Sequence, residues 1–302
     1  MQSKKNNSVK TLFVIVGPTA VGKTEFGISL AKKHDTEIIS ADSRQFFKEL
    51  KIGAAPPSAQ ELSEIKHHFI GHLSVEDYYN AARYETDALK CIENIFTKHD
   101  EAILVGGSGL YIDAVCNGID ELPDLDESLR EKLNLQLKNE GIENLRLQLK
   151  LLDPEFYKIA DISNSKRLIR ALEVCLLTGR KYSEMRKNQK KIRNFSIIKI
   201  GLFREREQLN SIINDRVDKM INVGLVEEAK QLFQFRHLNA LNTVGYKELF
   251  AFFDSEVSLE KAIENIKTNT RRFAKRQMTW FKKDEKTKWI QVDSEKTLSD
   301  LI

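Results

Sequence analysis

Three groups of side chains in this sequence are placed to do chemistry on charged substrates. The first is Gly17-Pro18-Thr19-Ala20-Val21-Gly22-Lys23-Thr24. Gly17, Gly22, Lys23 and Thr24 meet the spacing G-x-x-x-x-G-K-[ST], that of a loop that wraps a phosphate. The two glycines let the backbone curl until its N–H groups point inward at an anion. Lys23 adds a full positive charge, and the Thr24 hydroxyl suits Mg²⁺. The loop therefore takes a polyphosphate or pyrophosphate, without saying which compound. The second group is Arg271-Arg272-Phe273-Ala274-Lys275-Arg276-Gln277-Met278-Thr279-Trp280-Phe281-Lys282-Lys283. Residues 267–288 hold nine Lys/Arg against two acids, Asp284 and Glu285, with aromatic rings between the cations. That mix supplies phosphate contacts and stacking on exposed bases. A solvated helix face with Phe273 and Trp280 turned into the core accounts for it equally well. The third is Asp42, a lone carboxylate whose role depends on where it sits.

Placing these groups requires particular elements. Leu12–Val16 is an apolar run that reads as a buried strand, and Glu25–Lys33 has helical periodicity. Strand, glycine loop and helix in that order set the loop on a helix N-terminus, which adds partial positive charge. Glu37–Ser40 reads as a second, parallel strand and runs into Ala41-Asp42-Ser43-Arg44-Gln45. Ligands of open α/β sheets collect beyond the carboxyl ends of the strands, so Asp42 is expected near the phosphate loop. A helix N-cap or turn role is its alternative. Ala102–Val105 is a third strand, followed by Gly106-Gly107-Ser108-Gly109-Leu110-Tyr111. ATP-hydrolysing loop proteins often carry an acid at such a strand end to hold Mg²⁺ and water. Glycines here weaken that reading, and a tight strand-to-helix turn also explains them.

Residues 51–60, with Pro56 and Pro57, read as a loop. Lys66-His67-His68 and His72 lack nearby cysteines or an H-E-x-x-H pattern and read as polar surface. Tyr78–Lys98 is an amphipathic helix. From about Cys116 to Asn194 strand signals vanish. Leu125–Leu152 and Lys166–Leu177 are helical, Gly179 is a helix stop, and Lys181–Arg193 is strongly basic. Ser196–Phe203 returns to β-like alternation. Helices then follow at Glu205–Asn222, with Arg216 in its middle, Leu225–Phe235, Gly245–Phe253 and Ser258–Lys283. Trp289–Val292 is a last edge strand. The fold class is α/β: a P-loop NTPase-like parallel sheet core flanked by helices, residues 1–115 and 195–302, with an all-helical insertion domain at 116–194.

With 302 residues, 41% hydrophobic and 30% charged, the chain can bury a substantial core. A net charge of +4 implies no partner by itself. The three cysteines, Cys91, Cys116 and Cys175, are far apart and fit a reducing compartment. Met1–Lys10 lacks an apolar secretory core, and no run is long enough to span a bilayer. A cytoplasmic, membrane-free protein is expected.

The ordered set of motifs resembles the bacterial tRNA dimethylallyltransferases nearly end to end. It comprises Gly17–Thr24, Asp42–Gln45, Gly106–Tyr111, Arg170-Ala171-Leu172-Glu173, Asp215-Arg216-Val217-Asp218, Thr243-Val244-Gly245-Tyr246 and Lys275–Phe281. The resemblance implies a phosphate-loop core crossed by a channel. Dimethylallyl diphosphate would enter at one end and an adenosine flipped from a tRNA anticodon loop at the other. By resemblance Gly17, Pro18, Thr19, Ala20, Val21, Gly22, Lys23 and Thr24 hold the diphosphate. Thr19 and Lys23 lie near the leaving group, Arg216 is a diphosphate-binding arginine, and Asp42 is the general base. Positions implied to meet tRNA are Asp42, Ser43, Arg44, Gln45, Ser108, Arg130, Lys166-Arg167-Leu168-Ile169-Arg170 and Asn242-Thr243-Val244-Gly245-Tyr246-Lys247. Lys275-Arg276-Gln277-Met278-Thr279-Trp280-Phe281-Lys282 complete that set. Mg²⁺ at Thr24 is the implied cofactor, and a monomer is expected. Gly53-Ala54-Ala55-Pro56-Pro57-Ser58 departs from the family pattern by a hydroxyl and a charge, so no catalytic role is assigned to it. The zinc-finger extension of eukaryotic relatives is absent from the sequence, which fits the bacterial type.

Three rival functions remain open on the residues alone. They are a phosphate-loop kinase of small molecules, a prenyltransferase acting on free adenine nucleotides, and a non-catalytic tRNA-binding module.

Overall fold

The computed structural model describes residues 9–187 and 189–292. Among them the chain forms two compact units, residues 1–116 with 192–302 and residues 117–191, within the limits of their described parts.

The first unit is built on six parallel strands in the order β3-β2-β4-β1-β5-β6. They are β1 Thr11–Val16, β2 Ile38–Ser40, β3 His67–His68, β4 Glu101–Val105, β5 Ser196–Phe203 and β6 Lys288–Gln291. Central parallel strands are covered on both faces and so read as continuous apolar runs. The period of two in β1 sends Leu12, Val14 and Val16 to one face of the sheet and Ile15 to the other. The first face is covered by α3 (Ala81–Phe96), whose Ala81, Tyr84, Ala88, Ile92 and Ile95 are buried at helical spacing. The other is covered by α1 (Lys23–Lys33), α10 (Arg206–Asn222) and α13 (Leu259–Phe281). A third cluster joins α10, α11 (Leu225–Leu232), α12 (Tyr246–Phe253) and the start of α13. α13, about 35 Å long at 1.5 Å per residue, touches all three clusters. It does so through Ala262 and Ile266, then Ala274, then Phe281. The inner side of the basic helix is thus fixed, while Lys275, Arg276, Trp280 and Lys282 stay exposed.

The second unit contains α5 (Glu127–Glu140), α6 (Ile142–Leu152), α7 (Pro154–Ile159), α8 (Ser165–Thr178) and α9 (Tyr182–Met185) around its own core of Leu133, Leu145, Leu149, Phe156, Leu168 and Leu172. Among the described residues it holds no strand.

Several expected elements differ. The stretch 125–152 is two helices, because Gly141 turns the chain at φ 80°. Asp153 caps a further helix that begins at Pro154, a favoured first position. The loop at 51–60 ends in a helix, α2 (Ala59–Glu64), started by a reciprocal Ser58–Glu61 capping box. His67 and His68 are not loose surface but the sheet-edge strand β3, and His68 Nε2 lies 2.6 Å from Glu37 Oε2. The glycine run after β4 leads into α4 (Gly109–Asn117).

Candidate active site

Parallel strands bring all their carboxyl ends to one edge of the sheet, where ligands of such folds gather. The loop after β1 curls there through positive φ at Gly17 (149°), Ala20 (65°) and Gly22 (107°). Gly17 lies against β5, and a Cβ on it would sit 2.5 Å from the Leu202 carbonyl oxygen. Gly22 starts α1 in the left-handed conformation, which puts Lys23 and Thr24 in its first turn. Lys23 Nζ donates to the carbonyls of Gly17 (3.1 Å) and Pro18 (2.8 Å), tying its charge inside the loop. Arg204, at the end of β5, donates to the carbonyls of Val21 (3.2 Å) and Val292 (3.0 Å) and braces the loop from outside.

The turn after β2 carries Asp42. Its Oδ1 accepts the Arg44 backbone N–H at 3.0 Å, an Asx turn. The turn role and the place beside the phosphate loop are therefore both filled. The turn packs closely on the glycines after β4: a Cβ on Gly106 would lie 2.2 Å from the Ala41 oxygen. Ser108 Oγ accepts from the Ser43 N–H at 2.9 Å and lies 3.1 Å from Ser43 Oγ.

These segments, with parts of α10, α11, α12 and α13, line one cavity of about 1120 Å³. Thr19–Glu25, Asp42–Gln45, Gly106–Tyr111, Arg216, Asn242–Gly245, Lys247, Arg276, Gln277 and Trp280 all face it. The Lys23 ammonium is pushed down to about 8 by loss of water, with Asp42 opposing the shift and Arg216 adding to it. Burial also lowers the Arg216 guanidinium, opposed by Asp42 and Glu61. Arg216 Nη1 reaches Thr19 Oγ1 at 3.5 Å. Two cations and a carboxylate thus feel one another across the cavity.

Other expected site residues have different surroundings. Leu168 and Ile169 are buried in the core of the second unit, and Tyr246 and Phe281 in the first, so their side chains present no nucleic-acid surface. Lys166 and Arg167 are exposed on α8. Arg130 and Arg170 are drawn onto the buried Glu173, Arg130 Nη2 at 2.8 Å and Arg170 Nη1 at 3.4 Å. Arg44 is spent on the backbone, donating to the carbonyls of Asn239 (2.9 Å), Ala240 (3.0 Å) and Asn242 (3.4 Å). Gln277 is buried: its Oε1 accepts from the Thr19 N–H (2.8 Å) and its Nε2 donates to the Gly107 carbonyl (2.9 Å). Lys275, Met278 and Thr279 lie on α13, and Lys282 at its C-cap, outside the cavity lining, whereas Phe273 lines it. Trp280 Nε1 donates to Asp113 Oδ2 at 2.9 Å, and the ring packs so closely that a Cβ on Gly109 would lie 2.4 Å away.

Sequence reasoning passed over Arg204 and Glu228. Each acts on chain segments remote in sequence, and neither stands in a motif that marks it.

Residues 45–284 match the family model of IPP transferase. The chain is 50% identical to tRNA dimethylallyltransferase 1 of Bacteroides fragilis over 96% of its length and 97% of the relative's. It is 52% identical to the tRNA dimethylallyltransferase of Christiangramia forsetii, with the same coverage of 96% and 97%. This chain belongs to the IPP transferase family. Among solved structures, the full-length tRNA isopentenylpyrophosphate transferase of Bacillus halodurans superposes with a TM-score of 0.70 at 36% identity, covering 97% of this chain and 94% of that one. A eukaryotic dimethylallyltransferase captured acting on tRNA superposes with a TM-score of 0.76 at 28% identity, covering 93% and 74%.

Proposed function

We propose that the chain transfers a dimethylallyl group from dimethylallyl diphosphate to N6 of adenosine 37, beside the anticodon, in tRNAs reading codons that start with U. The observation that carries the reading is the one cavity shared by Asp42, residues 19–24 of the phosphate loop and Arg216. The exocyclic amine of adenine is a weak nucleophile because its lone pair is delocalised into the ring. Asp42 accepts its proton as the C–N bond forms, a contribution typically worth about 10²–10⁴-fold. Charge gathers on the departing diphosphate, where Lys23, Arg216 and the loop N–H groups meet it. Each such preorganised donor is worth about 3–4 kcal/mol. Ile213, Val217, Met220 and Leu225 give the same cavity an apolar stretch. It suits the allyl chain and keeps out water that would compete for it.

Thr24 faces the cavity at the second position of α1. That fits Mg²⁺, which is commonly held by few protein ligands together with substrate phosphates. Thr24 would hold it, and when bound it neutralises diphosphate charge. The adenosine must leave its stack, at a cost of a few kcal/mol that is smaller for an unpaired loop base. The exposed cations Lys275 and Arg276 of α13 and Lys282 at its C-cap, together with Lys166 and Arg167, offset this by phosphate contacts. No helix among the described residues is long and apolar enough to cross a membrane. A monomer in the cytoplasm completes the reading.

The test is purified protein with Mg²⁺, labelled dimethylallyl diphosphate and unmodified tRNA, followed by nucleoside analysis. N6-dimethylallyladenosine in tRNA is the expected product. Equal labelling of AMP, or ATP-dependent phosphorylation of a small acceptor with no prenylation, would overturn it.

A further inference from the structure

Three cavity-lining segments far apart in sequence are tied to one another pairwise. The Asp42 turn is fastened to 239–242 by Arg44, whose guanidinium takes three carbonyls there. It is fastened to 53–55 by Gln45, whose Nε2 donates to the Ala55 carbonyl at 3.0 Å while its Oε1 accepts from Ser40 Oγ at 3.0 Å. One side of the triangle is left, between 51–55 and 242–247. Glu228 of α11 closes it.

The Glu228 carboxylate accepts four hydrogen bonds. Oε2 takes the N–H groups of Lys51 and Ile52, both at 2.8 Å, and Oε1 takes the N–H of Gly53 at 2.9 Å and the Tyr246 hydroxyl at 2.7 Å. A carboxylate has about four lone-pair sites, so this one is saturated. Successive backbone N–H groups converging on an anion make a nest, and the three here have a carboxylate of the protein in it. Gly53 lies against the hydroxyl end of the Tyr246 ring, where a Cβ would come within 2.6 Å. Tyr246 is fully buried and follows directly on Asn242–Gly245 of the cavity wall. The divergent segment Gly53-Ala54-Ala55 is thereby part of the cavity, even without a hydroxyl or charge of its own.

We infer that Glu228 is a positioning residue, which locks 51–55 against 242–247 and so sets the cavity wall that aligns the acceptor adenine with Asp42. The inference rests on the proposed transfer reaction for its kinetic part only. Glu228 touches no reacting atom and lies outside the phosphate loop. Its loss disturbs alignment of the acceptor and leaves the diphosphate site alone.

Glu228→Gln is the test, because the amide keeps the volume but turns an N–H₂ toward N–H or O–H donors. In transfer from labelled dimethylallyl diphosphate to tRNA, kcat falls about 10–100-fold, the scale of a small misplacement of reactants, while KM for the prenyl diphosphate stays within twofold. Tyr246→Phe, which removes one of the four bonds, lowers kcat about threefold with the same split. Amide exchange gives a readout independent of the reaction. Residues 51–53 and 242–247 lose protection in Glu228→Gln, while 17–24 keep theirs. A folded Glu228→Gln enzyme with kcat within twofold of wild type overturns the assignment. So does a parallel loss of kcat, prenyl-diphosphate KM and melting temperature, or exchange at 242–247 that does not change. If Glu228→Gln fails to fold, Tyr246→Phe decides by the same kinetic and exchange criteria. Wild-type protein that prenylates no tRNA refutes the proposed function instead, and the exchange result still decides the role of Glu228.

Discussion

Residues 19–24 and residues 42–45 face one cavity, yet different forces hold the loops that carry them. The phosphate loop takes most of its shape from its own backbone: positive φ at Gly17, Ala20 and Gly22, a helix start at Lys23, and a lysine bonded to carbonyls five and six residues before it, with Arg204 and Gln277 bracing the result. The Asp42 side depends on side chains from distant parts of the chain, with Arg44, Gln45 and Glu228 fastening segments up to 198 residues apart. Charge is gathered mainly by local geometry, whereas alignment rests mainly on tertiary bonds. The two sides should therefore fail in different ways.

The largest separation comes from Asp42→Ala. Prenyl transfer falls by about 10²–10⁴-fold, the usual worth of a general base, while tRNA affinity in a filter-binding titration stays close to wild type. Equal losses of both would end the division of labour. Next, Arg216→Ala lowers kcat/KM for the prenyl diphosphate by about 10²–10³-fold with little change in tRNA binding. If it alters only thermal stability, its place beside the leaving group is wrong. Arg44→Ala should act first on the fold. Loss of its charged bonds to three carbonyls costs about 1.5–3 kcal/mol, read from urea unfolding, with activity falling as the wall at 239–242 loosens.

The phosphate side has a pH signature of its own. Lys23 is charged below about 8 and loses its proton above it. Bound diphosphate favours the charged form, so binding takes up protons above pH 8 and affinity weakens as pH rises. Calorimetry in buffers of different ionisation enthalpy measures that uptake, and its absence would remove Lys23 from the diphosphate contact. The smallest effect is expected at Lys282→Ala, which lowers the slope of log tRNA affinity against log salt by about 1 and leaves transfer at saturation unchanged.

The phosphate loop, its strand and its helix were legible because their signals lie within a few residues of one another. The strands β1, β4 and β5 and the basic helix α13 were legible for the same reason. The capping box that begins at Ser58 and the glycine break at 141 were also written locally, within stretches read as one loop and one helix, and the Asp153-Pro154 helix start lies just past the second. β3 carries no readable signal, since two histidines make no hydrophobic pattern and only pairing with β2 defines them. Arg44 and Gln277 drew attention through family motifs, but their sequence settings gave no sign that both are committed to backbone partners. Glu228 looks like any acid in the first turn of a short helix. Its meaning lies in the amides of residues 51–53, which no spacing rule connects to it.

The position of β1 between β4 and β5 has a consequence during synthesis. The carbonyl against which Gly17 packs belongs to Leu202, and the amide of Thr19 is bound by Gln277. A nascent chain displays its lysine and its aspartate early, but cannot set them in working order until nearly the whole polypeptide has left the ribosome.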